Sequence, residues 1–208
     1  MTEGDAKAWL QQNVSRETFE RLEIFAAALA KWQRAINLVS GATLPELWAR
    51  HFLDSAQIYR HSRETAGLWL DIGTGGGFPG LVCAALAADD RPTQRFTFIE
   101  SDLRKCSFLR TVAVEMGLTV NILTRRIEDA PPQNADILSA RALAPLTKLC
   151  DHAARHLAPD GVALFLKGAT HAREIREALE TWSMTLDIIP SQTAQGAVIL
   201  KIGDIRRA

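Results

Sequence analysis

"LDIGTGGGFPG", residues 70–80, places five glycines and a proline directly after a short apolar run. Glycine gives up more backbone freedom on ordering than any other residue, so such a cluster marks a bend that must be tight and bare of side chains. The apolar "LWLDI" before it reads as a strand, and the segment from about Pro79 onward reads as a helix. A strand, a glycine bend and a helix make the opening of a βαβ unit. In open α/β sheets the crevice at the carboxyl ends of the strands is where ligands bind.

Working outward, short apolar runs alternate with helical stretches from residue 67. "LWLDI", "RFTFIE", "TVNILTR", "ADILSAR" and "VALFLK" read as five strands, most joined by connections long enough for crossover helices. Their mostly apolar character suits parallel strands covered on both faces. After the helix-like "HAREIREALETW" come "TLDIIP" and "AVILKI", joined by "SQTAQG". That link is too short for a crossover, so the last two strands pair antiparallel. The expectation is an α/β fold of Rossmann type, with a seven-stranded, mostly parallel sheet ending in an antiparallel pair.

The first 60 residues read as helices. Ser15 can cap a segment in which Phe19, Leu22, Phe25, Leu29, Trp32 and Ile36 recur at three- and four-residue steps. Thr43 and Glu46 match a capping box with Pro45 in the early turn, predicting a helix through "LWARHFLDSAQIYRH". The chain therefore divides into a helical extension, residues 1–62, and a nucleotide-binding core, residues 63–208. At 208 residues with 47% hydrophobic content it can build a sizeable core.

The 24 basic and 24 acidic side chains cancel, so a polyanion must be met by a local patch rather than by an overall field. Cys83, Cys106 and Cys150 form no C-x-x-C pair and read as reduced, buried thiols of a cytoplasmic protein. The longest apolar run, "LVCAALAA", is too short for a bilayer, and no membrane partner is expected. His152 and His156 have the spacing of a metal pair but no third ligand, so no metal is expected. No apolar stripe is left over for a dimer interface, so a monomer is expected.

Two ligand patterns overlap at the bend. Gly75, Gly77 and Gly80 fit G-x-G-x-x-G, the fingerprint of a nicotinamide dinucleotide, whose pyrophosphate rests on a helix N-terminus. Asp71 with Gly73, Gly75 and Gly77 fits D-x-G-x-G-x-G. A carboxylate is poorly placed beside a pyrophosphate; it suits a cationic amino acid group, or the ordering of the glycine backbone. Glu100, ending the second strand, can accept from ribose hydroxyls in either case. In "RRIEDAPP", Ile127 offers an apolar surface and Glu128 or Asp129 an acceptor for an adenine amino group.

"KWQRAINLVS", "RHFLDS", "LDIGTGGGFPG", "ESDLRKCSFL", "RRIED", "LSARALAPL" and "LFLKG" occur together in the order and spacing of one family. The chain resembles class I S-adenosylmethionine-dependent methyltransferases, and within them the RsmG family, also called glucose-inhibited division protein B. The resemblance covers about residues 31–168. It implies S-adenosylmethionine as cofactor, S-adenosylhomocysteine as product, and N7 of one guanine in the decoding-region loop of bacterial 16S ribosomal RNA as target. The RNA would be presented free or within the small subunit or an assembly intermediate. The family's cofactor contacts carry over to Gly73, Phe78, Ile127, Glu128 and Arg141; Asp71, Gly75, Gly77 and Glu100 join them from the spacing argument. Arg141, just past the fourth strand, is the side chain expected to act in transfer by gripping a phosphate, stacking on the base or fixing the cofactor carboxylate.

Guanine N7 has an in-plane lone pair and no proton to lose, so alignment rather than a general base is required. Arg104, Lys105, Arg110, Arg125 and Arg126, with Lys31, Arg34, Arg50, His51 and Lys167, form a candidate basic rim for RNA. Trp32, Trp48 and Phe52 have helical spacing and read as core. The rival readings are a nicotinamide-dependent oxidoreductase and a non-catalytic RNA- or nucleoside-binding protein.

Overall fold

The computed structural model describes residues 1–62 and 67–208. The boundary expected between residues 62 and 63 borders positions 63–66, which lie outside the described residues. Seven strands, β1 (Leu68–Ile72), β2 (Arg95–Glu100), β3 (Asn121–Thr124), β4 (Ala135–Arg141), β5 (Leu157–Lys167), β6 (Trp182–Pro190) and β7 (Val198–Arg207), form one sheet in the order β3-β2-β1-β4-β5-β7-β6. β1 through β5 pair parallel, while β7 runs antiparallel to both β5 and β6. The expected sheet and its antiparallel end are both present.

Helices α1 (Glu3–Asn13), α2 (Arg16–Trp32), α3 (Asp54–His61), α4 (Gly80–Asp90) and α5 (Leu103–Glu115) share one apolar cluster with a face of the sheet. Helices α6 (Leu146–His156) and α7 (His171–Leu179) cover the other face. Ser15 caps α2 as its sequence implies, its hydroxyl accepting from Thr18 N at 2.9 Å. Phe19, Leu22, Phe25 and Leu29 are buried, as are Trp48 and Phe52, while Trp32 packs partly buried against Phe108. The three cysteines are free and buried.

Two expectations about the first 60 residues fail for identifiable reasons. The stripe through Ile36 outruns its helix, because the Gln33 side chain ends α2. Its Oε1 accepts from Leu38 N and Val39 N at 2.9 and 3.1 Å, and its Nε2 donates to Val39 O at 2.8 Å. This pins a loop against the glycine bend. Thr43 and Glu46 do not form a capping box either. Gly41–Glu46 is a 3₁₀ segment followed by a wider π turn, Trp48–Leu53, and the α-helical stretch starts only at Asp54. Thr43's hydroxyl is already engaged, donating to Ser40 O at 2.8 Å and accepting from the ring of His51 at 2.7 Å. Those two contacts outweigh the cap.

Candidate active site

The sheet order reverses between β1 and β4, and the bend after β1 faces the end of β4 across that switch point. Gly73, Gly75 and Gly77 have φ of +62°, +58° and +94°, a region that side-chain-bearing residues adopt only at a cost. The glycines nevertheless do different jobs. Gly76, Gly77 and Gly80 are buried. A Cβ on Gly76 would stand 2.7 Å from Leu38 O, and one on Gly77 2.7 Å from Leu81 Cδ1 and 2.9 Å from the Phe25 ring. One on Gly80 would meet Asp71 and Phe98 at 2.7 Å. These three let helices and loop close on the bend. Gly73 and Gly75 are partly exposed and border two cavities of about 550 and 460 Å³, which also share Lys105 and Ala142.

Asp71 does not reach either cavity. It is 0% exposed, its Oδ1 accepting from Ser139 Oγ at 2.6 Å and its Oδ2 from the Thr74 hydroxyl and from Gly80 N at 3.1 Å. Ser139 in turn accepts from Trp69 Nε1 at 2.8 Å. Of the two roles open to this carboxylate, the ordering of the glycine backbone is the one the geometry supports. Burial pushes its pKa from 3.8 up to about 6, with Ser139, Thr74 and Gly80 pulling the other way. The folded protein therefore holds a proton through the window in which the unfolded chain has released it, so stability falls as pH rises. Between pH 4 and 7 the wild type should lose about 2.4 kcal/mol relative to Asp71→Asn. Urea unfolding of both proteins across that range checks this; parallel stability curves would contradict it.

The smaller cavity is bordered by Glu100, Ile127, Glu128, Arg125, Arg126 and Lys148. Glu100, 8% exposed, is held by two backbone donors, with Gly75 N to Oε2 at 2.9 Å and Asp102 N to Oε1 at 2.8 Å. A carboxylate has about four acceptor positions, so two remain for a pair of adjacent hydroxyls. Ile127 is buried in the wall; Glu128 lies at the lip, 3.6 Å from Lys148 and 3.9 Å from His152. Its own backbone N–H, ahead of the charge of Lys148, holds its carboxyl below the usual range. His156 bonds Ile127 O at 3.2 Å, fixing the wall from behind. Among the described residues no group of three or more His, Cys, Asp or Glu is arranged to hold a metal ion.

The larger cavity is bordered by Arg50, His51, Asp54, Phe78, Arg141 and the Thr193–Ala197 part of the β6–β7 loop. Arg141 is turned toward the helical layer. Its Nη1 donates to Arg50 O at 2.9 Å, its Nη2 donates to His51 Nδ1 at 2.5 Å, and its guanidinium lies 5.1 Å from the Phe78 ring centre. Because guanidinium can only donate, His51 accepts at Nδ1 and carries its proton on Nε2, which points to Thr43. Burial, then Arg141 and Arg50, lower the His51 pKa to about 3. His51 is therefore neutral and does not belong to the basic rim. Lys167 is also committed, to Glu174 at 2.5 Å and Ala144 O at 3.0 Å. Arg50, Arg125 and Arg126 are exposed around the crevice, with Lys105 half-buried between the two cavities; Arg104 is exposed but borders neither cavity and stands 3.7 Å from Asp102.

Asp54, Gln57 and Thr193 were not singled out in the sequence, since isolated polar residues in a helical pattern and a short loop carry no local signal. Gln57 bonds Ser191 Oγ and Gln192 N at 3.1 and 3.0 Å, tying the β6–β7 loop to α3.

A parallel sheet closed by one antiparallel strand, with a side-chain-free bend at its switch point, defines the class I methyltransferase fold. A ribosomal-protein methylase from Lactobacillus delbrueckii subsp. bulgaricus shares it, with a TM-score of 0.59 and 17% identity over 73% of this chain and 76% of that one. So does M. jannaschii TYW2 in complex with AdoMet, with a TM-score of 0.55 and 14% identity over 84% of this chain and 80% of that one. At those identities the likeness concerns the fold alone. The family is fixed by closer relationships: the GidB profile, described as rRNA small subunit methyltransferase G, matches residues 18–196. Ribosomal RNA small subunit methyltransferase G of Ruegeria sp. is 50% identical over 98% of this chain and 98% of its own. This chain belongs to the GidB family of small-subunit rRNA methyltransferases.

Proposed function

We propose that the protein transfers the methyl group of S-adenosylmethionine to N7 of a guanine in the decoding-region loop of 16S ribosomal RNA, releasing S-adenosylhomocysteine. The observation that carries the reading is the position of Gly73 and Gly75, the two glycines of the bend that stay partly exposed, at the junction of two cavities. The residues fit the cofactor. Glu100 is preset to accept two ribose hydroxyls, Ile127 offers an apolar face to adenine, and Glu128 at the lip accepts from its amino group. The bare backbone at Gly73 and Gly75 leaves room for the sulfonium end. Family membership supplies the ribosomal RNA substrate.

The bound sulfonium supplies an electrophilic methyl group. The chain supplies alignment, since an N7 lone pair needs no base, and alignment in well-oriented systems is worth up to about 7–11 kcal/mol. Arg141, locked by His51 and Arg50, sets the far wall against which donor and base meet. Lys105 stands between the cavities as a charge for RNA phosphate. Residues 1–62 shape the entrance for RNA, and residues 63–208 hold the donor. We place the protein in the cytoplasm as a monomer acting on 16S RNA or on a small-subunit particle. The nicotinamide reading finds no support in the antiparallel β7 or in the family.

The test is incubation with tritiated S-adenosylmethionine and either free 16S RNA or small subunits. Label recovered as 7-methylguanine is the expected result. Absence of label in both substrates, with tight binding of NADH, would overturn the reading.

A further inference from the structure

Asp54 opens α3 with a carboxylate that the alignment of donor and base leaves unused. Its side chain is 16% exposed and borders the larger cavity. The two oxygens differ. Oδ1 accepts from Gln57 Nε2 at 2.7 Å and from Thr193 Oγ1 at 2.6 Å, which secures the β6–β7 loop. Oδ2 accepts no hydrogen bond among the described residues. Arg141 Nη1 stands 3.8 Å from it, an ion-pair distance, and donates instead to Arg50 O. A carboxylate oxygen at a cavity wall that is held only by a long ion pair keeps acceptor capacity for a ligand that brings a donor. Burial holds the Asp54 carboxyl above its usual range, with Thr193 and Arg141 pulling it back.

The chemistry of the base says which donor that is. Guanine carries acceptors, N7 and O6, on one edge and donors, N1–H and N2–H₂, on the other. If N7 is turned toward Gly73 and Gly75, the donor edge faces away across the same cavity. Adenine in that pose would present the N1 lone pair instead. We propose that Asp54 selects guanine, its Oδ2 accepting from N1–H and N2–H₂ while Oδ1 holds the loop that closes the cavity. This rests on the guanine-N7 reading above and adds the group that enforces it. Sites built to hydrogen-bond a donor reject analogues lacking it far more strongly than apolar pockets reject a missing methylene.

The experiment uses small subunits reconstituted with 16S RNA carrying guanosine or inosine, which lacks the N2 amino group, at the position labelled by the wild type. Wild type should prefer guanosine by roughly 10- to 100-fold in kcat/KM, the range for one hydrogen bond to a charged group. Asp54→Asn keeps an oxygen toward Thr193 and Gln57 but puts an amide N–H where Oδ2 was. It should lose about 100-fold on guanosine and bring the preference to within about 2-fold, with calorimetric S-adenosylmethionine affinity unchanged. Thr193→Val, which disturbs only the Oδ1 side, should slow both substrates alike and keep the preference. Retained preference in a folded, cofactor-binding Asp54→Asn overturns the proposal alone. Wild type that labels no guanine overturns the N7 reading and this proposal with it.

Discussion

Gly73→Val should abolish detectable S-adenosylmethionine binding, a loss of at least about 100-fold, or roughly 3 kcal/mol. Two effects combine. At φ +62° a β-branched residue is strained by about 1–3 kcal/mol. Its Cβ would also stand 2.4 Å from Leu143 Cδ1, so Leu143, which borders the smaller cavity, must be displaced. Gly117→Val separates these effects. Gly117 has φ +66° with nothing within 4 Å of a Cβ, and it borders neither cavity of the site. It should show comparable destabilisation and normal cofactor affinity. Equal affinity in folded Gly73→Val would move the donor away from the bend.

Arg141→Ala should lower methyl transfer by roughly 1,000-fold, at the upper end for loss of one preorganised polar group. The structure changes what that loss means. Arg141 is an internal staple joining the end of β4 to the π turn, through Arg50 O and His51 Nδ1. Its removal leaves His51 Nδ1 without a donor and takes away the guanidinium paired with Asp54, so a stability loss of about 3 kcal/mol should accompany the kinetic one. Arg141→Lys keeps the charge but cannot donate along both directions of the fork, and should recover only part of either loss. Quench-flow transfer rates together with urea unfolding check both numbers. A variant with unchanged turnover would remove Arg141 from the site.

The sheet was legible because its strands are short apolar runs separated by helical periodicity, and the bend because five glycines cannot be a neutral choice. Ser15 was legible as a cap because the cap is local. The Thr43–Glu46 pattern misled because its hydroxyl is claimed by Ser40 O and by the ring of His51, which the π turn eight residues on brings within reach. His51 looked cationic beside Arg50, yet its charge state is set by burial and by Arg141, ninety residues away in sequence. Asp71 and Glu100 were identified as carboxylates near the bend, but which of them faces a cavity depends on the pairing of β1 with β4 and on Ser139. Asp54 lies in the quoted RHFLDS stretch, but its role was silent because its contacts come from Thr193 in the β6–β7 loop and Arg141 at the end of β4.

The most direct measurement of the central claim is a crystal structure with S-adenosylhomocysteine bound. Its sulfur should lie over Gly73 and Gly75 with the ribose hydroxyls on Glu100, and the path from sulfur should open into the cavity bordered by Asp54 and Arg141. Ligand density elsewhere, with the backbone at Gly73 and Gly75 left uncovered, would contradict the account.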